Sequence, residues 1–502
     1  MLPRPSARFA RFTRLGAVAT FLLAAACGKS AVSQPATTAS AAKATPEDGS
    51  KPVAMADDGP RKNDDRPVVS TAQAAWVGAA TESEAILRSS RDTVLGVWVD
   101  VPEGRPKVRA PVDVALVVDT SGSMAGAKIE NARSAARQLV QNLQDGDIVS
   151  LDSFSDTARV VVPPTKLDVE TRPEILRAIA TLGVGGSTNM FSGLTLGQSH
   201  MQSAPPTHTV RRVVVISDGI ANVGPSTPEA LGAIAERGLR FRAQVTSLGV
   251  GADYDEHTLN ALAVKSSGRL YHLSDPKEMA QTLRREVELV TGTIASDAVV
   301  EVVPAPGVQL VGADGIRTEW GEGGALRIPI GALHGGQRRE ALVRVRVVDP
   351  RTMEGATSRP IASVRLKFKD PADGDLERIQ ETVARATMTD DAAVVARSVN
   401  ARTRSIAAIW EVAHTQLQVA QQVNSGQFMD ADRELERAQK KLETEASKAK
   451  DDAEKRRLTT AAAGVASQCA AVGRAAAPSA PKAAARDEAL KMNSAAMDSM
   501  GF

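Results

Sequence analysis

Val112-Asp113-Val114-Ala115-Leu116-Val117-Val118-Asp119-Thr120-Ser121-Gly122-Ser123 is the stretch on which the fold turns. Its first seven residues form a nearly continuous apolar run, as in a strand covered on both faces by helices. The run ends in one carboxylate and two serine hydroxyls. Just beyond it, Ile129, Ala132, Ala136, Leu139, Val140 and Leu143 recur at helical spacing and predict an amphipathic helix over 128–143. The same alternation continues outward. Strands are predicted over 148–154, 158–162, 212–217, 243–250 and 269–273, and helices over 173–182, 228–237, 256–266 and 276–290. Strands alternating with helices call for a doubly wound, mostly parallel, Rossmann-like sheet over 110–291. Ligands of such sheets sit beyond the carboxyl ends of the strands.

Three short stretches fall at that edge: Asp119-Thr120-Ser121-Gly122-Ser123, Gly185-Gly186-Ser187-Thr188-Asn189 and Ser217-Asp218-Gly219. Every donor they offer is an oxygen, which selects a hard divalent cation over zinc or copper. Mg²⁺ is the first choice, with Mn²⁺ and Ca²⁺ as alternatives. Other chemistries lack support. Gly122 to Lys128 is spaced as Gly-x-x-x-Gly-x-Lys, without the Lys-Ser/Thr pair of a phosphate loop. Asp253, Asp255 and Glu256 lack the glycine and distal glutamate of an EF-hand and suit the start of a helix. The six histidines form no His-Glu-x-x-His, and no Gly-x-Ser-x-Gly sits at a strand end.

Asp119-x-Ser121-x-Ser123, followed by Thr188 and Asp218 in the matching elements, resembles the metal-ion-dependent adhesion site of the von Willebrand factor type A family. The resemblance covers about 111–290. It implies that Ser121 and Ser123 bind the ion directly, that Thr188 binds it directly or through water, and that Asp119 and Asp218 hold its waters. It also implies that an acidic side chain of a partner fills the remaining position.

The flanks are of other kinds. Residues 1–14 carry four arginines and no acid, and the twelve residues from Leu15 to Ala26 are apolar or small. At ~1.5 Å per residue they cannot cross a ~30 Å hydrocarbon core, so 1–27 reads as a secretory signal. Leu23-Ala24-Ala25-Ala26-Cys27 resembles the bacterial lipobox, with Ala24 where leucine is usual, which would make Cys27 the acylated terminus. Gly28 in place of aspartate favours the outer membrane over the inner. The segment 28–70 is rich in Ala, Ser, Thr and Pro and reads as a flexible tether. Without the four leader arginines the chain has 57 basic and 59 acidic residues, a net of −2. With aromatics at 3%, that offers nucleic acid neither a positive field nor stacking platforms. Two cysteines, Cys27 and Cys469, exclude a disulfide scaffold.

Strand-like alternation before and after the central interval predicts one β-sandwich from 82–108 and 294–370, with the α/β domain between its two parts. Val343, Val345 and Val347 would face the core, and Arg344 and Arg346 the solvent. From 375 to 472 the text turns helical, with a break at Gly426, and reads as a hairpin or small bundle. The segment 475–502, low in large apolar residues, is expected to be disordered. Overall the chain is expected to be multidomain: α/β, then β, then α. Its expected role is that of a lipid-anchored cell-envelope protein that is not an enzyme. It would bind a protein or surface polymer presenting a carboxylate, and touch the membrane through the anchor only. The alternatives are a scaffold working through its helical region, or a metal-assisted hydrolase.

Overall fold

All eight residues of Val112–Asp119 are buried. This strand pairs in parallel with Ile148–Phe154 on one side and Val210–Ser217 on the other. The computed structural model describes residues 75–501 except positions 105, 107, 314 and 356, so the expected signal, tether and Cys27 lie outside the described residues. The central sheet runs Ala158–Lys166, Ile148–Phe154, Val112–Asp119, Val210–Ser217, Ala243–Val250, Arg269–Leu273, with only the first strand antiparallel. Ala127–Asn142 and Met279–Thr291 cover one face through Ile129, Leu139, Leu283 and Val287. Met190–Ser203, Pro228–Gly238 and Glu256–Ser266 cover the other.

Met190–Ser203 was not anticipated. Gly193 and Gly197 lie one helical turn apart and look like helix breakers, since each costs about 1 kcal/mol relative to alanine. They serve close approach instead: a Cβ at Gly193 would sit 2.6 Å from the Phe154 ring, and one at Gly197 would sit 2.7 Å from Val117. The helix backbone therefore lies directly on the sheet.

On either side of this domain in sequence, strands build two stacked sheets. One runs Val77–Thr81, Asp92–Asp100, Arg338–Val347, Val308–Ala313. The other runs Glu319–Trp320, Leu326–His334, Thr293–Pro304, Arg359–Asp370, Leu376–Thr389, Ala85–Leu87. Their facing sides, with Leu95, Val97, Val300, Val302, Val343, Val345, Val364 and Leu366, form one apolar core. The outward cations pair across strands: Arg346 with Asp92, Arg365 with Glu381, and Lys367 with Glu301.

Two expectations about the carboxyl-terminal half need correction. The helical region does not begin at 375, because Leu376–Thr389 is a fourteen-residue strand of the sandwich. Its inward positions include Gln380, Ala384 and Ala386, too small or polar to register as an apolar alternation. Gln380 nonetheless contributes, accepting the Trp76 amide at 2.6 Å. Nor is 475–502 a disordered tail. Lys482–Met500 is a helix that buries Ala489, Leu490, Met492, Ala496 and Met497. It packs on the central domain, where Leu490 and Met497 share a core with Leu259 and Leu262. Small side chains allow close contact without large apolar area, and polar links add to it: Asn493 pairs with Asn260 at 2.9 and 3.1 Å.

The longer helices Ala401–Asn424, Phe428–Lys448 and Asp452–Ala475 form the rest of this region. Glu340 of the sandwich, 6% exposed, is held by both Arg402 and Arg457. Arg402 also lies over the Trp98 ring, 4.6 Å from its centroid. Removing one partner of such a buried ionic group is far more damaging than removing a surface pair.

Two outcomes follow from this packing. Leu490→Ala should lower unfolding free energy by about 2–4 kcal/mol in a urea titration, because the side chain is fully enclosed. Asp113, at the amino end of the central strand, is 1% exposed and has no hydrogen-bond partner on either carboxylate oxygen. Burial pushes its carboxyl up to about 7, against the opposing charges of Arg211 and His200. Because the folded value lies above the unfolded one, this group favours folding at acid pH. Its contribution is lost as pH rises from about 4 to 7, by about 2 kcal/mol between pH 5 and 7. Asp113→Asn should therefore flatten the stability profile over that window, as read from melting curves at matched ionic strength.

Candidate metal centre

Asp119 ends the central strand with its side chain enclosed. One carboxylate oxygen accepts the Ser121 amide at 2.8 Å, and the other accepts the Ser217 hydroxyl at 2.6 Å. It therefore fixes its own loop and ties it to the end of the next strand. Thr120 adds a second tie on the other side, donating both its amide and its hydroxyl to the Phe154 carbonyl at 2.8 and 3.0 Å.

The glycine-rich loop is laced to the first one by backbone hydrogen bonds. The Gly185 amide donates to Thr120 O at 2.8 Å, and the Gly122 amide to Gly186 O at 3.1 Å. Gly186 has φ +82°, and a Cβ there would stand 2.5 Å from Asp156 Oδ2. Asp156 in turn accepts the Ser187 amide at 2.9 Å. Thr188 is clamped by Asn222, whose side chain accepts its amide at 2.8 Å and whose own amide donates to its carbonyl at 3.0 Å. The next residue, Asn189, caps Met190–Ser203.

These ties bring the five predicted side chains to one place. Ser121 and Ser123 hydroxyls are 3.0 Å apart, and Ser123 donates to Asp218 Oδ1 at 2.8 Å. A Cβ built on Gly219 would lie 3.4 Å from Thr188 Oγ1 and 3.5 Å from Ser123 Oγ, so both hydroxyls face the same small space. Cys27, the predicted lipidation site, is outside the described residues. Two contributors were missed. Ser217 was read only as the end of a strand, yet its hydroxyl holds Asp119. Lys128 was considered only as part of a failed phosphate loop, yet its ammonium pairs with Asp218 Oδ2. The available signal was its place in the first turn of a helix that starts beside two strand-end carboxylates.

Burial raises the Asp119 carboxyl above its ordinary range and the Asp218 charge adds to that, while hydrogen bonds from Ser217 and Ser121 pull the other way. A cation at the site would relieve this strain. The donors fit a hard octahedral ion. Metal–oxygen bonds of about 2.1 Å place adjacent ligands about 3 Å apart, close to the separation of the two serine hydroxyls. Among the described residues no group of three or more His, Cys, Asp or Glu side chains is placed to hold a metal. The candidate centre is therefore the hydroxyl-rich one. The histidine rings make their polar contacts elsewhere, with Asp152, Gly146, Glu256, Asp487, Arg269 and Trp410, so none stands beside the site as a general base. Val184 and Ile220, which adjoin the donor loops in sequence, are 42% and 61% exposed.

The family model of the von Willebrand factor type A domain matches residues 113–285. Inter-alpha-trypsin inhibitor heavy chain H3 of Homo sapiens is 30% identical over 202 residues, 38% of this chain but 22% of that protein. The uncharacterized protein sll0103 of Synechocystis is 25% identical over 283 residues, 54% of this chain and 65% of the relative. This chain thus spans less than two thirds of either. Among solved structures, a von Willebrand factor type A protein from Catenulispora acidiphila has a TM-score of 0.66 at 18% identity, covering 86% of this chain and 98% of its own. The ArnB paralog VWA2 from Sulfolobus acidocaldarius has a TM-score of 0.56 at 15% identity, covering 84% of this chain and 98% of its own. At these identities the likeness to both structures is one of fold.

The lacing of the loops makes a specific demand on Gly186. Gly186→Val should displace Asp156 from the Ser187 amide and lower stability by about 1–3 kcal/mol through strain at positive φ. The checks are a lower melting temperature in calorimetry and new exchange of the Ser187 and Thr188 amides with solvent deuterium.

Proposed function

We propose that the von Willebrand factor type A domain at residues 113–285 captures a carboxylate-bearing protein or polymer through a divalent cation. Ser121, Ser123 and Thr188 would hold the ion, with Asp119 and Asp218 placed to order its waters. Such domains commonly serve as metal-dependent protein-interaction modules. The observation that carries this reading is the convergence of three hydroxyls and two enclosed carboxylates from three separate loops. Folding pre-assembles them, so little ordering would remain to oppose binding.

The bound ion supplies an electrophilic position at which a carboxylate oxygen of the ligand completes the coordination. The protein's own groups do the rest. Asp119 fixes the loop with one hydrogen bond on each oxygen and keeps acceptor capacity on both for the ion's waters. Exposed Val184 and Ile220, next in sequence to Gly185 and Gly219 of the donor loops, would favour an acidic side chain that projects from an apolar neighbourhood. Binding is preferred to hydrolysis because the site's two carboxylates are engaged: Asp119 by Ser121 and Ser217, and Asp218 by Ser123 and Lys128. It is also preferred to a scaffold role for the helices, whose apolar stripes are buried against one another and against the sandwich and central domain.

In this reading the module is displayed at the bacterial cell envelope, held by acylated Cys27 and reaching outward on the 28–70 tether, with the outer membrane favoured by Gly28. Among the described residues no helix is long and apolar enough to cross a membrane.

Titrating MgCl₂, MnCl₂ and CaCl₂ into the purified protein tests the centre directly. Saturation at a hundredfold excess over Kd should stabilise the fold by about 2.7 kcal/mol, a rise of several degrees in melting temperature. The double variant Ser121→Ala/Ser123→Ala should lose that rise and also lose EDTA-sensitive binding to envelope extract. No heat from any of the three ions would remove the metal from the mechanism. Palmitate labelling that survives Cys27→Ser would remove the anchor.

A further inference from the structure

We propose that Lys128 is a tethered competitor for the metal: its ammonium holds Asp218 when no ion is present, and an arriving divalent cation takes that carboxylate from it through its bound waters. The proposal rests on the metal reading above and adds a residue to it that sets affinity.

Asp218 is fully buried, and its two oxygens are taken by the Ser123 hydroxyl and the Lys128 ammonium. A buried carboxylate without a counter-charge is strongly destabilising, so a cation at this position favours the folded state. Lys128 supplies one from within the chain. It lies in the first turn of Ala127–Asn142, and its stem runs past Gly251, where a Cβ would lie 3.7 Å from Lys128 Cε.

An ammonium in contact with Asp218 and a divalent ion whose waters need the same carboxylate compete for its acceptor sites, and the two cations repel each other at this range. The ammonium has a second place to go. Asp253 Oδ2 is 3.9 Å from Lys128 Nζ, on a side chain that is 81% exposed. The backbone on both sides of Asp253 is pinned from the carboxyl-terminal helix, because Arg486 donates to Ala252 O at 3.1 Å and Tyr254 O at 2.8 Å. Asp253 therefore stays within reach as the displaced ammonium swings towards solvent. The centre would persist without metal, and it would load only above an ion concentration set by this competition.

The experiment is calorimetric titration of MnCl₂ and MgCl₂ into the purified full chain, paired with melting temperatures at zero and saturating metal. Relative to wild type, Lys128→Met should bind metal at least about tenfold more tightly, equivalent to about 1.4 kcal/mol or more. It should also melt lower without metal and recover with it. Lys128→Arg keeps the charge and should not gain affinity. Asp253→Asn changes an exposed residue, leaves the fold intact, and should weaken metal binding by about two- to fivefold by removing the receiving carboxylate. Equal or weaker binding in Lys128→Met overturns the proposal while leaving the metal centre standing. If Lys128→Met fails to fold, unchanged binding in Asp253→Asn overturns it. Absence of binding in wild type and Lys128→Met together overturns both readings. Binding in Lys128→Met alone supports the competitor in its strongest form.

Discussion

Two carboxylates enclosed at the ends of neighbouring strands are the constraint around which the central domain is arranged. Asp119 and Asp218 are both withdrawn from water, and each would be strongly destabilising if left without partners. The surrounding chain meets that demand with hydroxyls, one amide and one ammonium. The loops that supply these groups must then be held in register, and the backbone hydrogen bonds among Thr120, Gly122, Gly185 and Gly186 hold them. The site's rigidity is thus a by-product of solvating two charges without water.

The same economy appears on the far side of the sheet. Met190–Ser203 starts beside Thr188, crosses the sheet on Gly193 and Gly197, and ends with His200 on buried Asp152 at 3.0 Å. One helix therefore connects the loop at the carboxyl edge to a polar cluster in the interior. The carboxyl-terminal helix makes a comparable link from outside, reaching the loop around Asp253 through Arg486. Elements far apart in sequence converge on the loops next to the site, and none of them contributes a donor to it.

What was legible in the sequence was whatever buries large apolar side chains or repeats oxygen donors at strand ends. The run from Val112 to Val118 announced a doubly covered strand, and the three donor stretches could be placed from the elements that precede them. What escaped was carried by small or polar residues. Gly193 and Gly197 weaken the helical signal of their segment, because their value lies in what the neighbouring strand needs. Ala384, Ala386 and Gln380 hid a strand, and Ala489 and Ala496 hid a helix, because contact between small side chains leaves almost no hydropathic trace. Lys128 escaped for another reason: its partner lies 90 residues away, and only its place in the first turn of a helix beside the strand-end carboxylates pointed to the pair.

The placement of the central domain between two portions of the sandwich has a consequence for how the chain is made. Strand Asp92–Asp100 must pair with Arg338–Val347, and Arg338 and Asp100 are 238 residues apart. At roughly 5–20 residues per second, a ribosome takes about 10–50 s to deliver the missing partner. All six strands of the central sheet emerge within that interval and can assemble first. The earliest described strands, Val77–Thr81 and Asp92–Asp100, can pair with each other, but the other edge of Asp92–Asp100, which Arg338–Val347 will cover, must meanwhile stay open. The nascent chain thus passes through a stage in which its middle is finished and its beginning is not, and a holding factor acting on residues 77–100 would matter most at that moment.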